Sequence, residues 1–141
     1  MSTNTSTGLR RFNLIAGVVH LAQMIAVLAL SSDFGLPVTA TYMAGPPGTQ
    51  FADSVVLFDI PLAYGVALFL GLSALAHFIV ASPTYYGRYS AGIAEKRNYF
   101  RWVEYSFSSS VMIVLIAQIT GIDDVTALLA IFGVNLSMNL F

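Results

Sequence analysis

Four apolar stretches divide the chain. They cover residues 12–30, 61–81, 98–119 and 125–141. Each is close to the roughly 20 residues that cross a bilayer core as a helix. Pro61 opens the second stretch, where a first helical turn tolerates proline, and Pro83 follows its end. Gly121 closes the third. The fourth reaches Phe141 without a cap, a basic stop or a polar tail, the pattern expected of a fragment of a longer chain. Residues 31–60 follow another rhythm. Residues 36–42 and 54–58 are rich in β-formers, and Gly45-Pro46-Pro47-Gly48 between them is a strong turn signal. This predicts a β-hairpin outside the membrane, with an exposed edge open to a second subunit. Residues 82–97 read as a connecting loop. The expected fold is all-α: a polytopic transmembrane helix bundle, one membrane domain over residues 1–141, carrying a single hairpin.

Composition agrees. The chain is 57% hydrophobic and 9% charged, against about 25% charged in an average soluble domain. A net charge of −1 argues against nucleic acid as a partner. With no cysteine, disulfides, thiol catalysis and cysteine zinc sites are excluded. Residues 1–8 lack the apolar core of a signal peptide. The six basic residues Arg10, Arg11, Arg88, Lys96, Arg97 and Arg101 all precede the first span or lie between the second and the start of the third. Asp33, Asp53, Asp59, Asp123 and Asp124 fall on the other side. Positive charge marks the cytoplasmic side. The expectation is therefore a multi-pass cell-membrane protein with a cytoplasmic N-terminus and an extracellular hairpin.

Glu104 is the chemical anomaly. It is the one acid inside an apolar run, in Arg101-Trp102-Val103-Glu104. An ionisable group at membrane depth costs roughly 2.5–3.5 kcal/mol on the milder scales unless partnered. Arg101 lies one turn away on the same helical face. At about 1.5 Å of rise per residue, Glu104, His20 and His77 fall in one layer nearer the cytoplasmic face. Ser73 shares the face of His77. Taken singly, each residue reads as readily as a structural group: a satisfied histidine, a packing serine, an Arg101–Glu104 ion pair. Their shared depth favours a common polar cavity able to hold a proton or stabilise a cation. No His-x-x-x-His or Glu-x-x-His pair is present, so no metal site is expected. Neither a phosphate-cradling loop nor a nucleophile elbow occurs, and no enzymatic activity is expected.

These residues carry a resemblance. Phe12-Asn13-Leu14-Ile15-Ala16-Gly17-Val18-Val19-His20 resembles the first helix of the heliorhodopsins. Gly45-Pro46-Pro47-Gly48-Thr49 and Leu68-Phe69-Leu70-Gly71-Leu72-Ser73-Ala74-Leu75 resemble later segments of that family. The most specific motif is Arg101-Trp102-Val103-Glu104-Tyr105-Ser106, continued by Ser108-Ser109-Ser110-Val111-Met112. Ala130-Ile131-Phe132-Gly133-Val134-Asn135 extends the likeness into the fourth span. The resemblance implies a light-sensing, seven-helix, rhodopsin-like protein, of which helices one to four are present here. It implies an inverted topology and all-trans retinal bound as a protonated Schiff base to a lysine of the seventh helix. Light isomerises the retinal and the Schiff base loses its proton. A homodimer, formed with help from the external segment, and a sensory role with an unidentified signalling partner are also implied.

By motif, Glu104 would be the Schiff-base counterion. His20, His77, Ser73 and Arg101 would form the polar, proton-accepting cavity. Tyr105, Ser108, Ser109 and Met112 would line the retinal, with Asn135 and Met138 towards its ring. The sole lysine, Lys96, lies in the basic loop, so the Schiff-base lysine is expected outside these 141 residues. Two other readings compete. One is a light-driven ion transporter on the same scaffold, disfavoured by the few polar groups in the external halves of the spans, such as Gln118 and Thr120. The other is a retinal-free structural or channel protein.

Overall fold

The computed structural model describes residues 3–141. Five helices and two strands follow in the order α1 (Thr3–Ala29), β1 (Gly35–Ala40), β2 (Val55–Pro61), α2 (Leu62–Ala81), α3 (Pro83–Ala94), α4 (Tyr99–Ile119) and α5 (Val125–Leu140). Helices α1, α2 and α4 are long and apolar enough to cross a membrane, and α5 is a shorter apolar helix. The fold is a rhodopsin-like membrane helix bundle with a small antiparallel hairpin.

Three local differences from the sequence reading stand out. Residues 82–97, expected as a loop, contain the twelve-residue helix α3. Pro83 at its start needs no hydrogen-bond partner for its missing N–H, and Tyr85 and Tyr89 on one face meet Phe100 of α4 edge-on at 6.1 and 6.2 Å. Pro61, expected in the first turn of α2, is the last residue of β2 and the N-cap of α2, with an extended ψ of 121°. The first helix also begins at Thr3, well before the apolar stretch that announces it.

Packing runs in one row, α1 on α2, α2 on α4, α4 on α5. Small residues make the close approaches. A Cβ at Gly65 would lie 2.5 Å from Leu115 Cδ2, so α2 and α4 pack closely there. On α4 the most deeply buried side chains are Ser106, Ser108 and Ser110. Without a hydrophobic driving force between helices in lipid, small hydroxyl residues allow close contact and hydrogen bonding. The basic end is tied by Arg10, whose Nε donates to Ala81 O at 2.8 Å.

The hairpin closes the opposite end. β1 pairs with β2 from Gly35–Pro61 to Ala40–Val55, with a bulge at Val38/Thr39. Thr39 N–H donates to Asp123 O at 2.8 Å, and Thr39 Oγ1 donates to the Asp123 carboxylate. Gln118 Nε2 donates to Pro37 O. Val38 packs with Ala117 and Leu128 in a buried apolar cluster. The sheet is thus docked on the α4–α5 turn.

Asp124 caps α5. Its carboxylate accepts from the Thr126 hydroxyl and from the N–H groups of Thr126 and Ala127. These bonds, the Thr126 hydroxyl first, hold its pKa below the ordinary 3.8. A lowered carboxylate pKa stabilises the fold above 3.8 and loses that contribution as pH falls through the folded value. Asp124→Ala should therefore lower the melting temperature in detergent micelles at neutral pH. The gap to the parent should shrink below pH 3.8; a gap independent of pH would refute the charged-cap reading.

Candidate functional site

Ser73 of α2 and Glu104 of α4 meet across the helix interface. Ser73 Oγ donates to Glu104 Oε1 at 2.8 Å. Ser73 is buried, 8% exposed, which shields the bond. One turn further along α2, His77 Nδ1 lies 2.9 Å from Asn13 Oδ1 of α1. The His77 ring stacks on His20 of α1, with centroids 5.5 Å apart and planes 12° from parallel. His20 Nδ1 is buried and has no hydrogen-bond partner among the described residues. Three helices thus bring an acid, a hydroxyl, an amide and two imidazoles together. The layer expected from helical rise holds Glu104, His20, His77 and Ser73, and the structure adds Asn13.

A cavity of about 90 Å³ joins several of these groups. Asn13, His77, Tyr89, Asn98, Arg101 and Glu104 line it. It has room for water. Glu104 also borders an apolar groove of about 420 Å³ between α2 and α4, lined by Leu72, Leu75, Ile79, Val103 and Phe107 among others. The carboxylate therefore stands between a pocket of mixed polar and apolar lining and an apolar wall.

Arg101 shares the cavity but makes no ion pair with Glu104. Its guanidinium lies over the Tyr105 ring, 5.5 Å from the centroid, a cation–π contact. The ion pair among the described residues is Arg97–Glu95, which is exposed. Arg101 and Glu104 thus share the cavity without direct contact between their charged ends.

A second polar cluster joins α4 to α5. Asn135 Nδ2 donates to Ser109 Oγ at 2.8 Å and to Ser110 Oγ at 3.1 Å. Asn139 Nδ2 donates to Ser109 Oγ at 3.1 Å. Ser108 and Ser109 are buried. Tyr105, Met112 and Met138 are not: Met138 is 70% exposed, and the other two also lie on the surface of this chain. Of the expected retinal wall, the structure joins Ser109 and Asn135 by a hydrogen bond.

Against known families, the heliorhodopsin family model matches residues 9–141. The chain belongs to the heliorhodopsin family. The match runs through every element that builds both polar clusters, from Asn13 to Asn139. Heliorhodopsins are retinal-binding, light-sensing proteins of rhodopsin type. No curated protein matches the chain.

Asn13, Tyr89 and Asn139 escape a reading that ranks intramembrane residues by charge. A signal for two of them exists in spacing. Asn13 is seven residues before His20, two turns along one face, and Asn139 is four after Asn135. Asn135 offers the cleanest energetic test. Side-chain hydrogen bonds between membrane helices average about 0.6 kcal/mol and reach about 1.7 kcal/mol. A double-mutant cycle of Asn135→Ala and Ser109→Ala should give a coupling in that range by unfolding in mixed micelles. Additive single effects would show that the bond contributes nothing.

Proposed function

We propose that this chain forms the counterion side of a light sensor, with Glu104 as the fixed negative charge beside a retinal imine. The observation that carries the reading is the Ser73–Glu104 bond at 2.8 Å, in a carboxylate without an ion pair among the described residues. An acid at membrane depth is stabilised by a cation, and no basic group among the described residues forms an ion pair with Glu104. Lys96 sits in the exposed turn before α4 at φ 58°, so the imine-forming lysine would come from elsewhere in the protein.

Retinal, when bound, supplies a light-isomerisable apolar polyene and one positive charge. The residues present fit such a group. Glu104 meets the charge at the border of apolar and polar surfaces. Ser73 fixes the carboxylate by donating to one oxygen and leaves the other free to face the cation. His77 and His20 carry nitrogens able to take a proton, in the layer next to the acid. Arg101, turned onto Tyr105, lines the same cavity without forming an ion pair with Glu104. Ser109 and Asn135 build a polar wall on the α5 side.

A sensory rather than pumping role has its own support. The hairpin, Val38, Ala117 and Leu128 close the external end with apolar packing. Gln118, a polar group of that end, is held by Pro37 O and offers no continuous path. The positive-inside pattern supports an N-terminus in the cytoplasm and an extracellular hairpin. The exposed β2 edge supports a homodimer.

In the full-length pigment, Glu104→Gln should shift the absorption maximum and make the imine lose its proton at lower pH. An unchanged spectrum and an unchanged deprotonation midpoint would sink the counterion role. Illuminated vesicles carrying the parent protein should show no sustained pH change; a steady, protonophore-sensitive change would overturn the sensory assignment.

A further inference from the structure

We propose that Asn13 is a positioning residue that fixes His77 in its Nδ1–H tautomer and so leaves Nε2 as the basic nitrogen. The argument starts from Asn13 itself. It is 3% exposed, in the apolar first span. Its amide orientation is decided by a neighbour that can only accept: Asn13 Nδ2 lies 2.9 Å from the backbone carbonyl of Leu9. The nitrogen of the amide must therefore point to Leu9. A second, longer contact of 3.5 Å from the same nitrogen reaches the Tyr89 hydroxyl of α3.

With the nitrogen so placed, the oxygen is left facing His77. Asn13 Oδ1 is 2.9 Å from His77 Nδ1. An amide oxygen has only lone pairs to offer. If Nδ1 also presented a lone pair, two acceptors would face each other in a half-buried site, and both would go unsatisfied. Nδ1 must carry the hydrogen. A neutral imidazole has one N–H, so Nε2 holds the lone pair. The partner of one ring nitrogen thus sets the chemistry of the other.

The inference rests on the reading of His77 as a proton-accepting group and gives that role an atom. A proton arriving in the cavity shared by His77 and Glu104 is taken at Nε2. Asn13 itself neither gives nor takes it. Its Tyr89 contact also links the tautomer to α3, the helix over the cytoplasmic end of the cavity.

The test is nitrogen-15 NMR of the full-length pigment in lipid bilayers, with labelled histidine rings, in the dark and at a pH where His77 is neutral. The His77 signals are those lost in His77→Phe. The parent should show a protonated-type shift at Nδ1 and an unprotonated one at Nε2. Asn13→Asp keeps an acceptor oxygen opposite Nδ1 and should retain the hydrogen on that nitrogen. Asn13→Leu removes it and should invert the ratio towards the Nε2–H form that free histidine favours in water. A parent dominated by Nε2–H, or an Asn13→Leu variant that keeps Nδ1–H, overturns the proposal. Should Asn13→Leu not fold, the parent spectrum and Asn13→Asp still decide it. The readout is separate from the counterion assignment. A Glu104→Gln pigment with unchanged absorption would remove that reading and leave the tautomer result standing.

Discussion

A carboxylate inside a membrane span depends on partners within the protein, and the hydroxyl of Ser73 is the partner the bundle gives Glu104. That one bond constrains much around it. It needs α2 and α4 close, which Gly65 permits against Leu115. It fixes the rotation of α2, and with it the face on which His77 appears one turn later. His77 then meets α1 through Asn13 and His20. In lipid, polar groups must find their partners inside the protein, so each satisfied group positions the next.

The two polar clusters divide the work. Glu104 and the histidines are titratable, and Ser73 and Asn13 are their neutral hydrogen-bond partners. Ser109, Ser110, Asn135 and Asn139 carry no titratable group. Their hydrogen bonds pin α5 to α4 beside a row of fully buried serines. Close packing of small hydroxyls gives this interface rigidity without apolar bulk, which suits a wall that must hold its shape.

Much of this was legible in the sequence, for physical reasons. Long apolar runs cross a bilayer only as helices, so residues 61–81 and 98–119 announced α2 and α4 directly. Gly45-Pro46-Pro47-Gly48 between β-formers announced the hairpin. Glu104, His20, His77 and Ser73 stood out because charge and hydroxyls are conspicuous among leucines. Helix α3 was hidden, since its glycines and tyrosines read locally as a loop and its helical state draws on Phe100, a residue beyond it in sequence. Asn13 was hidden because an uncharged amide looks unremarkable until its neighbours are known. Arg101 lines the cavity, but its side-chain partner was not legible from spacing. Its i, i+3 spacing to Glu104 suggests an ion pair, yet three-dimensional freedom let the guanidinium choose the Tyr105 ring.

The docked hairpin has a mechanical meaning. A polar ladder of serines and asparagines repeats at nearly helical intervals, so α5 sliding one turn along α4, about 5.4 Å, would offer similar partners at the wrong height. The sheet blocks that slip. It grows from the ends of α1 and α2, and it grips the α4–α5 turn through Thr39, Asp123 and Gln118. Sideways packing sets how near the helices stand. The strap sets how high α5 stands against its neighbours, and so at what level Asn135 meets Ser109.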